Sequence, residues 1–109
     1  MDDEEKKDVE ERFTDAVNMT PKELEDWLAT EQSTSVGVGE GESVGHHSGR
    51  RIVEILRDKK SDRSEADYEH MRKVAGYVAR HSQQRPKGDV TETRWRYSLM
   101  NWGNDPLKR

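Results

Sequence analysis

Histidine and carboxylate neighbours are the first residues in this sequence that suggest chemistry. His46 and His47 stand side by side in the stretch EQSTSVGVGEGESVGHHSG (31–49), with Glu40 and Glu42 close by. Imidazole and carboxylate groups are metal ligands, but a metal site needs fixed geometry and a supporting shell of hydrogen bonds. The spacing here matches no established site, so no metal and no other cofactor is expected. His70 and His81 fall on or near the polar side of a predicted helix. No nucleophile, paired carboxylate or phosphate-binding loop stands in a recognisable motif beside them. Glycines 37, 39, 41 and 45 form no G-x-G-x-x-G turn following a strand. The chain reads as a protein without catalytic activity.

The stronger chemical signal is positive charge. Residues 1–49 hold fourteen acids against four bases, net −10, whereas residues 50–109 hold fifteen bases against nine acids, net +6. Such asymmetry points to an electrostatic partner or to halves that attract each other. Arg50 and Arg51 precede the third predicted helix, Lys59, Lys60 and Arg63 cluster at its exit, and Lys73 and Arg80 share the solvent side of the fourth. A surface of this kind neutralises phosphates, the sequence-independent part of nucleic-acid affinity. On the last predicted helix Arg94, Tyr97 and Asn101 recur at i, i+3 and i+7. An arginine, an aromatic ring and an amide form a usable set for base edges or stacking. The expected function is DNA or other nucleic-acid binding through a basic face of residues 50–96 together with Tyr97 and Asn101. Two facts support plainer readings: the whole chain is acidic, with a pI near 5.6, and Tyr97 can equally pack inside. The alternatives are a solvated face, or a module that binds a protein partner or a second copy of itself.

Helices must position these groups. Leu, Ile, Val and Phe supply only 17 of 109 residues, enough for one small core. There is no cysteine, which fits a reducing compartment, and no apolar run of the length of a signal peptide or membrane span. A cytoplasmic protein without membrane contact is expected. Residues 1–8 read as a disordered acidic tail and 9–109 as a single helical domain, interrupted by a flexible Gly/Ser-rich loop at 31–48.

The spacing predicts an all-α bundle of about five helices. Val9, Phe13, Ala16 and Val17 form the first stripe. Thr20, Pro21 and Glu23 give the second helix a capping box, with Met19 and Leu24 as a hydrophobic staple. Ser48 is placed as the cap of a third helix bearing Ile52, Val53, Ile55 and Leu56. Ser64 and Asp67 open a fourth whose stripe is Tyr68, Met71, Val74, Ala75, Val78 and Ser82. Asp89 and Glu92 suggest a third capping box before a short last helix that presents Trp95, Leu99 and Trp102 on one face, closed by Gly103 and Pro106.

The stretches MTPKELEDWL (19–28), GRRIVEIL (49–56), YEHMRKVAGYVARH (68–81), QRP (84–86) and TRWRYSLMNWGNDPL (93–107) resemble domain-of-unknown-function family 3140, a family of small prokaryotic helical proteins. The resemblance spans nearly the whole chain, and its most specific part is the final block. It implies DNA binding as the label its members often carry, without a mechanism or a set of site residues.

Overall fold

The computed structural model describes residues 1–36 and 44–108. Six α-helices form among the described residues: α1 (Asp3–Ala16), α2 (Pro21–Leu28), α3 (Glu31–Ser35), α4 (Val44–Arg57), α5 (Glu65–Ser82) and α6 (Arg94–Asn101), with a 3-10 turn at Lys60–Asp62. The chain is all-α, with one helix more than the sequence predicts.

Local chemistry explains several of the boundaries. Thr20 and Glu23 exchange side-chain bonds with each other's backbone N–H at the start of α2, and Ser64 and Asp67 do the same at α5, satisfying donors that a helix start leaves open. Met19 and Leu24 are both buried, as a staple requires. Gly103 ends α6 at φ +81°, a left-handed turn that a side chain would strain.

Four expectations need correction. Residues 1–8 are not a free tail: α1 begins at Asp3, capped by the Asp2 carboxylate, and the N-terminal ammonium meets Glu65 of α5. In the expected 31–48 loop, Thr30 caps α3 and α4 already begins at Val44; Glu40 and Glu42 lie outside the described residues. Ser48 is not a cap but a buried mid-helix residue of α4. Asp89 turns onto the backbone N–H and hydroxyl of Thr91, and Thr93 caps α6 instead.

One hydrophobic core joins α1, α2, α4, α5 and α6, and α3 is attached through its buried Ser33. Phe13, Leu24, Ile52, Ile55, Met71, Val74, Val90 and Leu99 are completely enclosed, while Ser82 is exposed and leaves the α5 stripe. The broadest helix contact is α1 along α5, α2 packs on α4, and α6 touches α2, α3, α4 and α5. The chain after α6 folds back: the Gly103 carbonyl accepts from the amides of Asn18 and Met19, and Asp105 takes a two-bond grip from Arg96 at 3.0 and 3.1 Å. Burial raises the Asp105 pKa, but the Arg96 bonds, the Leu107 amide and the nearby positive charges outweigh it and hold the carboxyl below its ordinary value.

Candidate nucleic-acid interface

The expected basic face separates into parts with different fates. Asn101 is 1% exposed and bonded inside the core. Tyr97 is half-buried, its ring 5.3 Å from that of Trp27. Asn101 presents no recognition face, because its polar atoms are engaged by α2 and α3, and one side of the Tyr97 ring is taken up by Trp27 of α2. The Arg63 side chain is largely buried and directed at Glu10 of α1, at 3.8 Å. Lys59 and Lys60 are exposed, but Lys60 borders a shallow depression shared with Glu10, Glu11 and Asp15. Arg80 lines a groove between α1 and α5. Arg94 is exposed at the start of α6.

What the structure does bring together lies where α4 meets α5. Ser48 Oγ stands 3.0 Å from His70 Nε2, a bond that gives the buried hydroxyl its partner. Around this pair gather Arg51, Lys73 and His47. Burial first, then the charge of Arg51, with Lys73 and His47 adding to it, holds the His70 imidazole below its ordinary pKa, against an opposing bond at Ser48. Arg51 also bonds Asp67 at 3.1 Å, so it is oriented but partly neutralised. Arg50 and Lys73 are exposed beside it. A patch of this composition suits an anion, since Arg51, Lys73 and His47 gather around one imidazole.

The patch rests on a rigid support. His70 stacks on Trp102 at 6.4 Å between centroids, Trp102 on Tyr77 at 4.2 Å, Tyr77 on His81 at 5.1 Å, and His81 on Trp95 at 6.5 Å, and the Arg85 guanidinium lies 5.4 Å over Trp95. Trp95 Nε1 donates to the His81 carbonyl at 2.7 Å, fixing the far end. Offset stacks of this kind add modestly to the area that the rings bury.

Sequence reading missed His70 and Ser48. A signal for Ser48 was present: it stands four residues before Ile52 and seven before Ile55, on the apolar stripe, where a buried hydroxyl needs a partner. His46, one of the two adjacent histidines at which no metal is expected, has its Nε2 2.8 Å from the Leu28 carbonyl. No group of three metal-ligating side chains forms among the described residues.

Fold and patch thus define a small all-helical protein with an aromatic seam between its two C-terminal helices. The chain belongs to the protein family of unknown function DUF3140, whose model matches residues 12–100. No curated protein and no solved structure matches it. No helix among the described residues is long and apolar enough to cross a membrane.

Proposed function

We propose that this protein binds nucleic acid through phosphate contacts made by the α4–α5 patch. The observation that carries the reading is the convergence of Arg51, Lys73 and His47 on the His70–Ser48 pair. Exposed Arg50 extends the same turn of α4. The binding is of the backbone-positioning kind: of the residues expected to read bases, Asn101 is buried and Tyr97 is half-buried against Trp27, which leaves Arg94 as the exposed one, so discrimination between sequences is weak. The reading assigns no catalytic step.

A salt titration of binding to an unrelated labelled duplex tests it. Each phosphate neutralised contributes about −0.9 to the slope of log affinity against log salt. Three to four contacts give a slope of roughly −3. Lys73→Ala removes about one unit of that slope, whereas Lys60→Ala, beside the acids of α1, leaves it nearly unchanged. No binding at low salt, or equal losses at Lys60 and Lys73, overturns the assignment.

A further inference from the structure

Between α1 and α5 runs an open groove of about 730 Å3, within the roughly 300–1,000 Å3 range of small-molecule sites. Val9, Ala16, Ala75, Gly76 and Ala79 give it a floor of small or apolar residues. Its rim is charged, and most of the charges are satisfied: Arg12 bonds Asp8 at 3.1 Å and Arg72 bonds Glu5 at 3.3 Å. Two remain, Asp15 on α1 and Arg80 on α5, and neither pairs with any described residue.

Gly76 gives the groove a specific shape. It stands in the interior of an eighteen-residue helix, a position where glycine is a poor helix former. A Cβ there would come within 3.1 Å of Arg80 Nη1, so the guanidinium lies back over the glycine, at the edge of the apolar floor. With three acids and three arginines lining it, the groove is neutral overall, unlike the α4–α5 patch. It therefore selects against a polyanion and favours a ligand that carries both signs.

We infer that this groove binds a small zwitterion with an apolar body, the chemistry shared by an apolar amino acid and a short apolar peptide. Arg80 receives the carboxylate, in the paired geometry that a guanidinium offers. Asp15 receives the ammonium, and the apolar body covers Ala75, Gly76 and Val9. The site is independent of nucleic-acid binding and makes no use of Lys73 or His70.

Amide NMR spectra of the full chain, titrated separately with L-leucine and L-leucyl-L-leucine, test the inference. The expected result is saturable shifts at Ala75, Gly76 and Ala79 for at least one probe, and the tighter probe tells amino acid from peptide. N-acetylation of the tighter probe and Asp15→Asn each weaken binding about fivefold, the size of a partly exposed ion pair. The acetylated probe no longer senses Asp15→Asn, and C-terminal amidation with Arg80→Gln behaves in the same way. Gly76→Leu fills the groove and abolishes the shifts. Asp15→Asn and Arg80→Gln change exposed side chains and keep the test decisive if Gly76→Leu fails to fold. The inference is overturned by saturable shifts with neither probe, by shifts centred elsewhere, or by blocked probes that bind as tightly as free ones.

Discussion

Asn101 and Ser33 hold each other from both sides. The Asn101 Oδ1 accepts from the Ser33 hydroxyl at 2.5 Å, and its Nδ2 donates to the Ser33 carbonyl at 3.0 Å. Trp27 Nε1 adds a second donor to the same oxygen at 2.7 Å. One amide thus joins α2, α3 and α6, and both Asn101 and Ser33 are almost fully enclosed. Buried polar groups left without partners cost about 1–3 kcal/mol each.

Asn101→Ala strands the Ser33 hydroxyl and carbonyl and the Trp27 N–H together, so a loss of about 2–4 kcal/mol in urea unfolding is expected. Ser33→Ala removes one donor and costs about 1–2 kcal/mol. Because the two residues share one network, the double variant loses less than the sum of the singles. Strict additivity would mean that Asn101 acts only by filling space.

The contrast between Asn101 and Thr20 shows what the sequence makes legible. Thr20 and Ser64 form capping boxes with residues three places away, and chemistry that local can be read without knowing the fold. Asn101 stands seven residues from Arg94 and looks like part of a polar face. It is buried because Trp27 and Ser33, 74 and 68 positions away, deliver the polar atoms that satisfy it. The same reason hides α1, whose first turns contain no buried apolar residue and are held by Asp2, by Glu65 and by Lys6 lying over the Tyr68 ring. Asp89 misled for the opposite reason: it has the right type and spacing for a cap, but Thr91 is close enough to satisfy it first. Of the candidate site, the basic residues of α4 and α5 were legible as types. Their convergence on His70 was not, because it depends on how the two helices cross.

Gly49 and Gly76 are both helical glycines and respond oppositely to a methyl group. A Cβ on Gly49 would stand 2.5 Å from the Asn101 carbonyl and 2.8 Å from Leu28 Cδ2, and the carbonyl is backbone that cannot step aside. Gly49→Ala therefore destabilises by about 1–3 kcal/mol despite alanine's better helix propensity. At Gly76 the nearest atom belongs to the flexible Arg80 guanidinium, and Gly76→Ala stabilises by up to about 1 kcal/mol. Thermal melts of the two variants should move in opposite directions, and a shared direction would refute the close approach of α4 to α6.

His70 makes stability depend on pH in a defined window. Burial, then Arg51, lowers its pKa in the folded chain from the ordinary 6.5. Above that value the imidazole is neutral in both states and the contribution is complete. As pH falls below it the unfolded chain takes up the proton first, and stability declines. Between pH 7.5 and 5.5 the urea midpoint of the wild type should fall further than that of His70→Gln, which keeps a polar partner for Ser48. Parallel profiles would show that the Ser48–His70 bond is insensitive to titration in this range.

The acids of α1 bear on the proposed phosphate patch through one contact. Arg72, next in sequence to Lys73, is bound by Glu5 at 3.3 Å, and both side chains are more than half exposed. A pair so exposed contributes little to stability, but it withholds a guanidinium from phosphate. Glu5→Gln releases Arg72 beside Lys73. Duplex affinity should then rise, and the salt slope should steepen by up to about one unit as one more phosphate is neutralised. Glu11→Gln changes the net charge equally at an exposed acid of the same helix that pairs with no described residue. It leaves every arginine pair intact, so it should raise affinity slightly at low salt without steepening the slope. Thermal melts of both variants should match the wild type, which assigns any difference in binding to the released arginine. Equal slopes for the two variants would mean that α1 acts on the patch only through overall charge, and that Arg72 stays out of reach of the phosphates even when Glu5 lets it go.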